Sequence, residues 1–329
     1  MSYSIAIRTL GTAGDKFNRE LQSIACQTLK PEKVVIYIAQ GYARPTGTIG
    51  IEQYVEVPKG MVAQRALPYA EIDSDYILLL DDDMELSPDC AERLVGDLER
   101  DHLDCVAADP VGNHKKPLSY KVRAMMGNLV FPHWSRKWAF KIHSCGSFTY
   151  NAAPQPRVYL SQSAAGAVSM WRKDALLAIH FADELWLDRL KFAFGDDAIM
   201  FNKLYKNGYR LGVDYGCKVT HLDSRSSSGA FHKRLDRFYS YSFTNYVIWY
   251  RSCFDLDDQG FSSRAWCTLT FYLKCVWLFF YNLAASVACR SPRVIGLYIK
   301  GLRDGMAFVR SPLYKRIPNY IVPRTTGWH

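Results

Sequence analysis

The sequence predicts an α/β fold, a mostly parallel central sheet with helices on its faces, and three observations carry that prediction. First, residues 4–9 are short and apolar, Gly11 and Gly14 break the run, and Phe17, Leu21, Ile24 and Ala25 recur at helical spacing until Pro31. The β-branched stretch 34–39 follows, closed by Gly41, so the chain opens with a strand–helix–strand unit, which forces parallel pairing with a right-handed crossover. Second, Ile77, Leu78, Leu79 and Leu80 do not alternate with polar residues, as expected of a strand buried on both faces. Third, Asp81, Asp82 and Asp83 stand directly behind that strand, and open α/β sheets bind ligands at the carboxyl ends of their strands.

The remaining elements follow in order. A helical stretch over 61–70 carries Arg65 and is cut or kinked by Pro68. Ser87 is the expected N-cap of the next helix, with Pro88 at its first helical position and Leu94 and Leu98 on its inner face. Residues 104–108 read as another strand. Asp196 and Asp197 open a helix with Ala198, Phe201, Leu204 and Tyr205 on its apolar side, and Gly208 ends it. The first hundred or so residues thus read as a nucleotide-binding half of alternating strands and helices, and the division expected of the chain is 1–235, with 109–160 as an insertion, followed by a mostly helical 236–329.

Composition narrows the partners. The 329 residues are 49% hydrophobic and 22% charged, which excludes a disordered chain, and the length excludes a small stapled scaffold. A net charge of +9 favours an anionic partner, whether nucleotide phosphates, nucleic acid or an acidic membrane face, and its sign alone does not choose among them; the partners expected from the rest of the sequence include no nucleic acid. Nine cysteines, scattered and without a C-x-x-C pair, read as reduced thiols in the cytosol. The N-terminal MSYSIAIRTLG reads as an opening strand, not as a signal peptide.

Three adjacent carboxylates at the end of a buried strand repel one another unless a cation or donors compensate. A divalent metal is the simplest compensation, because Mg²⁺ and Mn²⁺ take carboxylate oxygens and complete their shells with substrate phosphates. Alternate residues of an extended segment point the same way, so Asp81 and Asp83 are expected to serve one ligand while Asp82 points elsewhere. The acids at 196 and 197 have a plainer role available, complementing the positive end of a helix dipole.

With these pieces in hand the chain resembles family 2 glycosyltransferases of the GT-A fold over roughly its first 225 residues. The resemblance rests on the opening strand, S-I-x-x-Q-T-x-x-P at 23–31, the strand 34–39, and above all LLLDDDMELSPD. It implies Asp83 as a metal ligand and Asp81 as the contact to the nucleotide ribose. Asp197, followed at family spacing by Gly208 and Tyr209, is implied as the catalytic base, and His221 of the V-x-H at 219–221 as the residue completing the metal site. The donor-side set is Thr9, Gln40, Arg65, Asp81, Asp82 and Asp196. One departure stands out: the family's acidic residue after the second strand is replaced by Ala39, Gln40 and Gly41, which leaves Gln40 as the candidate for base recognition.

The resemblance further implies an inverting, metal-dependent transfer (Mn²⁺ or Mg²⁺) from a nucleotide-diphosphate sugar, UDP-sugars favoured, to a lipid-linked or glycan acceptor of the bacterial cell-envelope type. A diphosphate leaving group needs no general acid when a metal neutralises it, so one carboxylate suffices to activate the acceptor hydroxyl. Arg8, Arg65 and Arg172 are possible phosphate partners, and Trp171 and Trp186 are expected on the acceptor side. Residues 109–155, with Lys115, Lys116, Lys121, Arg123, Trp134, Arg136, Lys137, Trp138 and Lys141, are an insertion or an acceptor- or membrane-facing surface. Segment 224–229, followed by His232, Lys233 and Arg234, reads as mobile.

Residues 275–289 are uncharged but shorter than the roughly 20 apolar residues of a membrane span. With Arg290, Arg293, Lys300, Arg303, Arg310, Lys315 and Arg316 nearby, the tail fits peripheral attachment to the cytoplasmic face of the inner membrane, or a homodimer contact. Two alternatives stay open from sequence: a sugar-phosphate nucleotidyltransferase, with GTAGDK at 11–16 as a weak phosphate loop, and a catalytically silent membrane-binding scaffold of the same fold.

Overall fold

The computed structural model describes residues 2–110, 137–151, 153–190, 195–222, 235–257 and 259–322. Lys115, Lys116, Lys121, Arg123, Trp134 and Arg136, segment 224–229, and His232, Lys233 and Arg234 lie outside the described residues.

Eight strands form the central sheet: β1 (Tyr3–Thr9), β2 (Val34–Ala39), β3 (Glu52–Val57), β4 (Tyr76–Asp81), β6 (Cys105–Ala108), β9 (Val158–Leu160), β10 (Val168–Arg172) and β11 (Leu211–Asp214). Their order is β3-β2-β1-β4-β10-β6-β11-β9. β10 runs antiparallel to both β4 and β6, and the edge strand β9 antiparallel to β11, while the other neighbours pair in parallel. Two small ladders accompany the sheet, β5 (Met84–Leu86) with β12 (Val219–His221), and β7 (Phe140–Ile142) with β8 (Phe148–Tyr150).

β4 behaves as its sequence demands. Leu78 and Leu80 point into one apolar layer with Phe17, Leu21 and Ile24 of α1 (Asp15–Ala25) and Leu94 and Leu98 of α2 (Cys90–Arg100). Ile77 and Leu79 point into the opposite layer, which includes Ile199, Phe201 and Leu204 of α4 (Asp196–Lys206). A short α3 (Lys173–Ala178) and a 3₁₀ segment, Phe181–Arg189, link β10 towards α4.

Two local readings are corrected. Residues 61–70 form one irregular turn and not a helix, because the Asp188 carboxylate accepts from the backbone N–H groups of Val62 (3.0 Å) and Ala63 (2.9 Å) and so fixes the chain there. Ser87 is not the N-cap: its hydroxyl donates to Asp89 (2.7 Å), its carbonyl accepts from Cys90 (3.0 Å), and α2 begins at Cys90.

The C-terminal part is built on α5 (Arg237–Trp249), α6 (Phe261–Ala288) and α7 (Arg293–Val309). The apolar run at 275–289 is part of this longer helix: α6 has 28 residues and meets the length and apolarity of a membrane span. Lys274 does not interrupt it, since its ammonium is buried and donates to the Cys145 carbonyl (3.1 Å) and Asn245 Oδ1 (2.6 Å). α7 packs on α5 at Gly301, where a Cβ would lie 2.3 Å from the Tyr239 carbonyl oxygen, so only glycine permits the crossing.

A buried ion network joins this region to the half that carries the central sheet. Glu184 accepts from Arg251 Nε (2.8 Å) and Nη2 (2.8 Å), and Lys203 of α4 reaches Asp183 (2.9 Å) and Glu184 (3.3 Å). Burial alone would raise the Glu184 carboxyl, but Arg251 and Lys203 outweigh it and hold the group ionised. The chain then returns: Tyr320 donates to the Ile199 carbonyl (3.1 Å), strapping the C-terminal segment onto α4.

Candidate active site

The site lies at the carboxyl edge of the parallel strands. β1 and β4 pair with Arg8 beside Asp81, so a cation and a carboxylate meet where the strands end. Arg8 Nε donates to Asp81 Oδ1 at 2.5 Å, and Arg65 Nη2 approaches the same oxygen at 3.3 Å. Burial pushes the Asp81 carboxyl up, but the two guanidinium groups overcome this and hold it well below the usual carboxylate range. Thr9 Oγ1 donates to Asp82 at 2.5 Å. For Asp82 burial dominates and, with the neighbouring aspartates, raises the carboxyl against the Thr9 hydrogen bond.

Asp83 has a different partner. β12 lies antiparallel on β5 with His221 opposite Met84, and the Leu222 N–H donates to the Asp83 carbonyl at 2.9 Å. His221 Nε2 consequently stands 2.9 Å from Asp83 Oδ2, although 138 positions separate the two in the chain. The expectation that Asp81 and Asp83 serve one ligand is not met by their side-chain contacts: Asp81 is occupied by arginines and Asp83 by a histidine. Among the described residues no group of three or more His, Cys, Asp and Glu side chains gathers into a ready metal cage.

The second acidic pair comes to the same edge. Gly195, at φ 80°, turns the chain into α4 and sets Asp196 and Asp197 in its first turn. Arg65, nearly inaccessible, bridges both: Nη1 lies 2.8 Å from Asp196 Oδ2 and also bonds Asp197 Oδ1, while Nη2 lies 3.3 Å from the Gly166 carbonyl oxygen. Arg8 adds a 3.8 Å contact to Asp196. One guanidinium therefore ties the strand-end aspartate to the helix-start pair.

The other sequence candidates fall as follows. Gln40 is exposed at the end of β2. Trp171 is corrected: its ring is fully buried, stacks on Phe201 with centroids 5.2 Å apart, and donates Nε1–H to Ser169, leaving no face for a sugar. Trp186 is likewise interior, between Phe243 and Phe308, with its N–H on Glu184 (2.8 Å). Arg172 pairs with Asp174 opposite the start of β4, at the far edge of the sheet from Asp81. In GTAGDK, Gly11 serves packing, since a Cβ would lie 2.1 Å from the Ala43 carbonyl oxygen.

Four residues that shape the site escaped sequence reading. Gln64 donates to the Thr9 (3.0 Å) and Tyr37 (3.2 Å) carbonyls, and Tyr69 donates to the Arg65 carbonyl (2.9 Å). Gly166 leaves room for Asp197 and Arg65, and Glu20 is buried on the inner side of the aspartates. Only Gly166, within the small-residue run SAAG, left a trace that composition could register.

Residues 53–156 match the family model Glycosyl transferase family 2, an interval that contains all three strand-end aspartates. That interval marks a family 2 glycosyltransferase domain, and the chain as a whole has the GT-A fold. No curated protein sequence matches the chain. Among solved structures, this glycosyltransferase resembles S. aureus TarS 1-349 in complex with UDP-GlcNAc, with a TM-score of 0.50 and 12% identity over 93% of this chain and 81% of that one. S. aureus TarS 1-349 without that ligand gives a TM-score of 0.50 and 13% identity over 95% and 86% of the two chains. At these identities the likeness is one of fold.

Proposed function

We propose that the enzyme transfers a sugar from a UDP-sugar to a hydroxyl of a lipid-linked or glycan acceptor of the bacterial cell envelope, inverting the anomeric centre. The observation that carries this reading is the meeting of Asp83 and His221 at the edge that also receives Asp197. A carboxylate and an imidazole together suit Mn²⁺ or Mg²⁺, with the imidazole favouring Mn²⁺. Among the described residues no arginine or lysine pairs with Asp83, whereas Asp81 is taken by two arginines, so Asp83 is the carboxylate left for a cation. A divalent ion held by Asp83 and His221 would offset the charge that gathers on a departing diphosphate.

The chain's own groups do the rest. Asp81, oriented by Arg8, accepts hydrogen bonds from the ribose hydroxyls. Asp197 takes the proton of the acceptor hydroxyl as its oxygen attacks the anomeric carbon from the face opposite the diphosphate. General-base assistance of this kind is worth about 10²–10⁴-fold. Asp196, Asp82 and Thr9 shape the donor side, and Gln40 is the candidate for contacting the base. The resemblance in fold to TarS, solved with UDP-GlcNAc, supports the choice of a UDP-sugar.

We place the enzyme at the cytoplasmic face of the inner membrane, with α6 lying on the bilayer and without a disulfide framework. In a thermal-shift screen, UDP or UDP-GlcNAc with Mn²⁺ is expected to raise the melting temperature by mass action, and Asp83→Ala to abolish the manganese-dependent part. Asp197→Asn is expected to keep donor affinity and lose transfer. A melting curve indifferent to every nucleotide, or full turnover by Asp197→Asn, overturns the reading.

A further inference from the structure

Arg65 belongs to the donor-side set, yet its contacts reach beyond that set to Asp197 and the Gly166 carbonyl. Its guanidinium meets Asp81 on one side and Asp196 and Asp197 on the other, and the Gly166 carbonyl accepts from it between them. The surroundings are built for this arrangement. Asp188 fixes the turn that begins at Val62, Tyr69 holds the Arg65 carbonyl, and Arg65 is almost inaccessible. Gly166 has no side chain where a Cβ would lie 2.2 Å from Asp197 Oδ1 and 3.0 Å from Arg65 Nη1. Any larger residue there would push base and arginine apart.

We propose that Arg65 is the positioning residue of the catalytic base, holding Asp197 ionised and aimed into the cleft while it anchors Asp81, so that donor site and base are set by one rigid group. The proposal rests on the reading of Asp197 as base. A lysine keeps the charge but lacks the planar fork that reaches carboxylates on two sides, so Arg65→Lys is not equivalent to wild type. The charged groups facing Asp197 are Arg65 and its neighbour Asp196, with Arg8 behind Asp196 and Asp81 across the guanidinium. Without Arg65, Asp196 and Asp81 remain to repel a second negative charge, and Asp197 holds its proton to higher pH.

Two measurements test this. The first needs no metal or donor: a double-mutant cycle on thermal stability with Arg65→Gln and Asp197→Asn. Coupling between the two substitutions supports the proposal, and additive effects overturn it. The second follows release of UDP from UDP-GlcNAc with Mn²⁺ across pH, with water as the acceptor. There the water oxygen bonds to the anomeric carbon, its proton goes to Asp197, and the bond to the diphosphate oxygen breaks.

Arg65→Gln is expected to lower the plateau about 10²-fold, the size of effect that a misplaced group produces, and to move the acid limb to higher pH. Arg65→Lys should restore part of the rate, and Gly166→Ala should shift the limb the same way by less. These two variants keep the test open if Arg65→Gln fails to fold. An unmoved acid limb in all three, with Asp197→Asn inactive, overturns the role of Arg65 and leaves the base in place. Asp197→Asn as active as wild type removes the base and this inference with it. Wild type that leaves UDP-GlcNAc intact counts against the donor assignment alone, and the cycle still decides whether Arg65 holds Asp197.

Discussion

Buried charge is handled in two different ways on this molecule. At the junction between α4 and the C-terminal helices, Glu184, Lys203 and Arg251 are all interior and every one has a close partner of opposite sign. At the strand-end site, Asp81 and Asp196 are compensated by Arg8 and Arg65, but Glu20 is buried and, among the described residues, no side chain hydrogen-bonds its carboxyl oxygens. Burial, reinforced by Asp82, Asp81 and Asp83, pushes its carboxyl well above the usual range, so it is held neutral. The first cluster is closed and structural. The second concentrates negative charge that a cation would relieve, which is the pattern expected where binding and folding compete for the same groups.

The largest effect is expected at the closed cluster. Arg251→Ala leaves Glu184 ionised and interior with only Lys203 opposite it, and removes the donor to the Pro318 carbonyl (2.9 Å). Breaking a buried pair from one side costs about 3–5 kcal/mol, which denaturant unfolding would register as a lower midpoint. A loss under about 1 kcal/mol would erase the contrast, since that is the worth of an exposed pair.

A smaller, pH-dependent effect is expected at Glu20. Its folded-state value lies above the ordinary 4.5, so its destabilising contribution is absent below pH 4.5 and grows as pH rises towards the folded value. Over that window the group subtracts up to about 1.4 kcal/mol per pH unit. Glu20→Gln removes this dependence: the variant should match wild type near pH 4.5 and gain on it as pH rises above that. Asp81, held low by its arginines, loses stability in the opposite direction, as pH falls, and is common to both proteins. Parallel stability curves for the two proteins would show Glu20 to be ionised and satisfied.

The two kinds of site differ as well in how far the sequence betrays them. The parallel sheet was legible because Ile77 to Leu80 lack alternation and because turns follow each strand. The pairing of Asp83 with His221 was accessible only through the family resemblance, since spacing cannot say that β12 folds back onto β5. The clamp on Asp197 was illegible for the same reason, as Arg65 and Asp197 lie 132 positions apart. Trp171 and Trp186 misled because an aromatic suits a sugar face and a core equally, and burial is decided by tertiary packing. The irregular turn at 61–70 mimics helical spacing, yet a distant carboxylate, Asp188, dictates its shape.

The smallest expected change in stability, and the one that most sharpens the comparison, lies on α6. Trp266, Leu269, Leu273, Val276, Phe280, Leu283 and Val287 recur along one side of this helix and are all exposed, while Cys267, Phe271, Lys274 and Cys275 face inward. A soluble surface seldom carries so continuous an apolar band, and exposed Lys300 and Arg303 on the adjoining α7, with Arg310 just after it, supply positive charge suited to an anionic leaflet. Phe280→Glu removes no buried contact, so folding stability should stay within about 0.5 kcal/mol of wild type. Sedimentation with vesicles containing anionic lipid should fall sharply for the variant, and wild-type binding should weaken as salt is raised. If Phe280→Glu co-sediments as well as wild type, the exposed face does not contact lipid. If the wild type sediments without vesicles as a dimer that the same substitution dissociates, the face is a contact between copies of this chain.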